Sequence, residues 1–130
     1  MPSAPIARQT KAQAQDIADQ VLRGWTAAFN RADWSALASL YTADAHLFGS
    51  KPTLYAGSDG VHEYFNQLAP GASIVFEQPQ VAQPGDAVIT LAMTANFRRA
   101  DQPRPYRMSW TLLEANGVWR IASHHASPLA

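Results

Sequence analysis

The chain has 130 residues, 47% of them hydrophobic and 15% charged, with ten basic and ten acidic side chains and no formal net charge. That length suits one domain, and the even charge balance argues against nucleic-acid binding, which asks for a basic excess. The absence of cysteine excludes disulfides, zinc-thiolate sites and thiol nucleophiles.

Met1-Pro2-Ser3-Ala4-Pro5-Ile6-Ala7-Arg8 has no apolar core of signal-peptide length. No run approaches the ~20 apolar residues of a membrane span. The reading is a cytoplasmic protein that contacts no membrane. Residues 1–9, rich in Pro, Ser and Ala, read as a disordered arm, and 10–130 as a single domain.

From Thr10 onward Ile17, Val21, Trp25, Ala28 and Phe29 recur at helical spacing, which predicts an amphipathic helix ending near Asn30. Asp33 is a good N-cap for a short second helix with Trp34, Leu37, Leu40 and Tyr41 as its apolar stripe. A strand over 45–48 and another over 53–55 follow, separated by Gly49-Ser50-Lys51-Pro52. Ser58 or Asp59 can cap a third helix over 61–68.

The remainder reads as β. A strand over 73–81 contains Pro79, which marks an edge or a bulge. The next, over 87–99, has Ile89, Leu91, Met93, Ala95 and Phe97 on one face. A strand over 106–113 and one ending at His125 flank Asn116-Gly117, a dipeptide that tolerates the positive φ angles of a type I′ hairpin turn. The class is α+β: three N-terminal helices packed in a curved, mostly antiparallel sheet of about six strands. A long curved sheet around the first helix leaves a conical pocket at its open end. The mixed second faces of the late strands suit a partner subunit, so a homodimer through the sheet is expected.

Trp25-Thr26-Ala27-Ala28-Phe29-Asn30-Arg31-Ala32-Asp33-Trp34, followed by Leu40-Tyr41-Thr42-Ala43-Asp44-Ala45, resembles the opening of the nuclear-transport-factor-like cone fold. Ketosteroid isomerases, scytalone dehydratase and SnoaL-like polyketide cyclases share that fold. The ending Gly117-Val118-Trp119-Arg120-Ile121-Ala122-Ser123-His124-His125-Ala126-Ser127-Pro128 is similar to the association domain of calcium/calmodulin-dependent protein kinase II and its free-standing bacterial relatives. The resemblance implies a cystatin-like cone with an interior pocket. It also places Trp25 where the isomerases carry an oxyanion-stabilising tyrosine, and Gly49 where they carry a general-base aspartate. Glycine takes no proton, so that isomerase chemistry is not expected.

Candidate ligand-binding residues are Trp25, Tyr41, Tyr55 and Phe65 as an apolar wall, with Arg107, His124 and His125 as polar anchors. Arginine presents a planar fork that suits a carboxylate. Adjacent strand residues point to opposite faces, so His124 and His125 do not both line one site without a bulge. By the same parity Arg107 goes with Ser109 and Thr111, and Tyr106 with Met108 and Trp110. Arg99 and Arg104 read as a solvated hairpin tip. No His-x-His or His-Glu-x-x-His spacing occurs, so neither a metal nor another cofactor is expected. The reading favoured is a self-associating binder of a small apolar or carboxylate-bearing ligand. An isomerase, dehydratase or cyclase with a histidine base, and a pure association module, stand as alternatives.

Overall fold

The computed structural model describes residues 11–68 and 71–129. Thr10 and the N-terminal arm expected over 1–9 lie outside the described residues. The elements run α1 (Lys11–Asn30), α2 (Trp34–Ala38), β1 (Tyr41–Phe48), β2 (Tyr55–Ala56), α3 (Gly57–Asn66), β3 (Ser73–Gly85), β4 (Val88–Arg99), β5 (Gln102–Ala115) and β6 (Val118–Pro128). The strands form one six-stranded sheet in the order β2-β1-β6-β5-β4-β3. Only β1 and β6 run parallel; the other neighbours are antiparallel.

Helix α1 follows its apolar stripe. Ala14, Ala18, Val21, Leu22, Trp25, Ala28 and Phe29 are buried, and the opposite face is solvated. The Asn30 side chain caps the contact with the sheet, its Oδ1 accepting from the Ile74 N–H at 3.1 Å. Asp33 caps α2 by accepting from the Ala36 N–H at 3.0 Å. That helix ends at Ala38, and Tyr41 opens β1 instead of closing the helix, four residues before the strand expected at Ala45. The cause is a pairing across the sheet. The Ile121 N–H donates to the Leu40 carbonyl at 2.8 Å, so β6 draws the chain into a strand as soon as the helix stops.

Helix α3 also starts earlier than its side chains suggest. Its N-cap is Ala56, without a side-chain hydrogen bond, and Gly57 turns in at φ +74°; Ser58 and Asp59 fall inside the first turn. Pro79 is accommodated twice over. Strand β3 is the sheet edge, and its register with β4 shifts between Glu77 and Gln80. The hairpin tips at Ala100-Asp101 and Asn116-Gly117 carry paired positive φ angles, 51° and 63°, then 54° and 79°. These are the two-residue turns whose twist suits adjacent strands.

A second irregularity decides what the sheet presents inward. Thr111 pairs with Ser123 but Leu112 pairs with Ile121, leaving Ala122 as a bulge in β6. One extra residue reverses the alternation beyond it. Ile121 and His124 are therefore both buried, although they are three residues apart.

Candidate functional site

The inner faces of β4, β5 and β6 meet α1 and α3 around Trp25, which is completely buried. Its indole stacks on Phe29 at 5.1 Å and meets Phe65 at 5.7 Å, Phe76 at 5.5 Å and Trp110 at 5.8 Å. Such edge and offset contacts add to the burial of large rings. Beside this cluster lies a cavity of about 170 Å³. Phe29, Phe65, Leu68, Phe97 and Met108 form much of its apolar wall. An engineered cavity of about 150 Å³ holds benzene, which sets the scale of occupant.

The polar groups of the cavity fall at two ends. At the inner end is His124, 3% exposed and lining the cavity. Its Nδ1 accepts from the Trp110 indole N–H at 3.1 Å and lies 2.8 Å from the Tyr41 hydroxyl. Tyr41 in turn accepts from the Trp25 indole N–H at 2.9 Å. Indole nitrogens only donate. The Tyr41 oxygen, already accepting from Trp25, directs its own proton to Nδ1. The lone pair of Nδ1 is thus shared by two donors, which fixes the neutral Nε2–H tautomer. A rotated ring would set a carbon against both donors.

Burial, and then the nearby charge of His125, push the His124 imidazole down to about 3. Burial also raises the Tyr41 phenol, partly offset by the Trp25 hydrogen bond. Both groups stay neutral at physiological pH.

The other end is the mouth, where Arg98, Arg99 and Arg104 of the β4–β5 hairpin line the opening together with Tyr106. No aspartate or glutamate is among the described lining residues. Ser50, which is exposed, and the buried Tyr64 also line the cavity. The Tyr64 hydroxyl accepts from the Ser50 N–H at 2.8 Å and lies 2.9 Å from Ser50 Oγ. It fills the space that a side chain at Gly49 would need, since a Cβ there would collide with the Tyr64 hydroxyl. Gly49, the position that the isomerase resemblance assigns to a carboxylate base, therefore has no side chain and is covered by a phenol.

The expected site residues separate. Trp25, Phe65 and His124 line the cavity. Tyr41 stands behind it, reaching His124 from β1. Tyr55 packs edge-on against Tyr64 and takes a long 3.4 Å hydrogen bond from Gln67, away from the cavity lining. Arg107 is exposed on the outer face of β5, because Met108 and Trp110 take the inner one. His125 is exposed as well, its ring 5.8 Å from Phe48. The arginines that do reach the mouth include Arg99 and Arg104, whose place at a hairpin tip reads from sequence as solvated. The signal for Arg104 was present: it shares strand parity with Tyr106, Met108 and Trp110. Among the described residues no three histidine, aspartate or glutamate side chains gather as metal ligands. No described helix is long and apolar enough to cross a membrane.

The sequence profile of the SnoaL-like domain matches residues 18–130. The chain belongs to the SnoaL-like domain family. Solved structures with the NTF2-like, cystatin-like fold of this family superpose on it closely. A candidate calcium/calmodulin dependent protein kinase II association domain from Xanthomonas campestris has a TM-score of 0.81 at 20% identity, covering 99% of this chain and 95% of its own. A ketosteroid isomerase-like protein from Erwinia carotovora atroseptica gives 0.76 at 21% identity, with 88% and 95% covered. A candidate dehydratase of the NTF2-like family from Streptomyces avermitilis gives 0.80 at 15% identity, with 93% and 100% covered. At these identities the likeness is one of fold. No curated protein matches the chain.

Proposed function

We propose that this SnoaL-like chain binds a small organic acid, its apolar body in the interior cavity and its carboxylate at the arginine mouth. The observation that carries this reading is the pairing of an aromatic-walled cavity with Arg98, Arg99 and Arg104 at its opening and no acidic side chain in its described lining. Ligand sites are mostly apolar clefts with a few placed polar groups, and a guanidinium suits a carboxylate.

Calorimetric titration with octanoate and octanol tests it. Octanoate binds at least tenfold tighter than octanol, and the difference shrinks with added salt because the mouth is solvated. The Arg98→Ala/Arg104→Ala variant loses about tenfold for octanoate, the sum of two exposed charge pairs of about 0.7 kcal/mol each. Equal affinity for the alcohol, or no binding of either, contradicts the reading.

The histidine-base alternative finds less support. Nδ1 of His124 is taken by two donors, and Nε2 carries the proton. An imidazole pushed down to about 3 is also a weak base at neutral pH. Self-association through the sheet keeps a specific observation in its favour. The sheet exposes Phe48, Val75, Leu113 and Val118, and its outer face carries a depression lined by Ala92, Ser109 and Thr111 among others. Light scattering on a sizing column distinguishes a dimer, expected here, from a monomer, which removes this part of the proposal.

A further inference from the structure

His124 is the one buried histidine among the described residues, and its hydrogen bonds with Trp110 and Tyr41 both fall on Nδ1. His124 lines the cavity, and with Nδ1 turned toward Trp110 and Tyr41, Nε2 is the ring nitrogen left to meet an occupant. The two donors on Nδ1 leave Nε2 as an N–H aimed at an occupant. A buried N–H without an acceptor is costly, and a ligand acceptor there is correspondingly selected.

We infer that the inner end of the cavity is a one-donor subsite, in which the His124 Nε2–H reads an uncharged oxygen of the ligand, so that the ligand is an oxo- or hydroxy-acid. This rests on the proposed binding of an acid and names its class. A carboxylate is the wrong group for this end. One neutral N–H does not offset the desolvation of a buried anion, and the cavity's arginines are at the other end. Nor does one polar group serve both ends. Arg104 and Trp110, the neighbour of His124, stand six residues apart on β5, about 20 Å along an extended strand. After the reach of the arginine, that span fits an acid of octanoate length with its second oxygen near the far end.

The relay of Trp25 and Tyr41 has a role in this. Trp25 makes Tyr41 a donor, and Tyr41 with Trp110 holds the histidine in the required tautomer. Tyr41, Trp25 and Trp110 are positioning residues, acting through His124.

The test uses the full chain with 7-oxooctanoate and octanoate as probes. Long-range nitrogen-proton NMR of the imidazole should report the Nε2–H tautomer of His124, unchanged between pH 5 and 8. Addition of 7-oxooctanoate should move the His124 Hε2 and Nε2 resonances, and the oxo acid should bind at least fivefold tighter than octanoate. His124→Gln, whose amide can accept from Trp110 and Tyr41 while presenting N–H to the cavity, should keep the preference. His124→Phe should abolish it, read as the ratio of the two acids' affinities in the same variant. An Nδ1–H tautomer, a titration of His124 in that pH range, or equal affinity for the two acids overturns the inference. If the two acids bind equally, acid binding itself survives; if neither binds, both readings fail. The tautomer is read in the wild-type chain, so a poorly folding variant does not shield the claim.

Discussion

His124 illustrates how a single residue carries both the polarity of the cavity and a cost to the fold. Its imidazole is pushed down to about 3 by burial, from an ordinary value near 6.5 in the unfolded chain. Between those limits the unfolded state binds a proton that the folded state does not. Stability therefore falls as pH drops from about 6.5 toward 3, and His124 adds no pH dependence above that window. At about 1.4 kcal/mol for each pKa unit, the loss is on the order of a few kcal/mol by pH 4. Urea denaturation at pH 7 and pH 4 should show a smaller difference for His124→Gln than for the wild type. An equal difference would mean that the buried imidazole is not the group responsible. Gly49 makes the complementary case in sterics. Gly49→Ala drives its methyl into the Tyr64 hydroxyl and should cost about 1–3 kcal/mol, the usual range for overpacking. In a Tyr64→Ala background the same change should cost almost nothing, and an additive double mutant would show that the two do not share that space.

At the scale of elements, the bulge at Ala122 matters more than any strand's composition. Deleting Ala122 should bring the Thr111–Ser123 and Leu112–Ile121 pairs into a regular ladder with Ile121 and His124 both still facing inward, so that Trp110 and Tyr41 retain their acceptor and the stability difference between pH 7 and pH 4 is kept. A variant that loses that difference would mean that the bulge does more than add one residue to the alternation. The same bulge explains what the sequence made legible and what it hid. The amphipathic stripe of α1, the Asp33 cap, the two faces of β4 and the Asn116-Gly117 turn all depend on short-range spacing, and each is visible as such. The choice between His124 and His125 depends on one residue out of phase, and nothing about Ala122 announces it. Naive parity from Ile121 would have turned His125 inward. That Tyr41 opens a strand was hidden for a related reason, because the strand begins through a hydrogen bond between Leu40 and Ile121, some eighty residues on. For Arg104 and Arg107 the spacing was informative, since Met108 and Trp110 had to face the core, but an arginine at a hairpin tip resembles an ordinary solvated residue until the cavity beside it is seen.

Across the whole molecule, a long sheet curves over one helix and leaves an aromatic-walled space between a neutral donor and a basic rim. Two tryptophans and a tyrosine hold the donor in one protonation state, and the hairpin of β4 and β5 carries the rim. The SnoaL-like fold supplies that space without dictating its use, and in this chain the polar groups favour recognition of an acid over proton abstraction. The claim is tested most directly by isotope-filtered NOE measurement on the chain saturated with carbon-13-labelled octanoate. The account predicts contacts from the ligand chain to Phe65, Phe97 and the Met108 methyl. Contacts confined to Ala92, Thr111 and the rest of the outer face, or no intermolecular contacts at saturation, would contradict it.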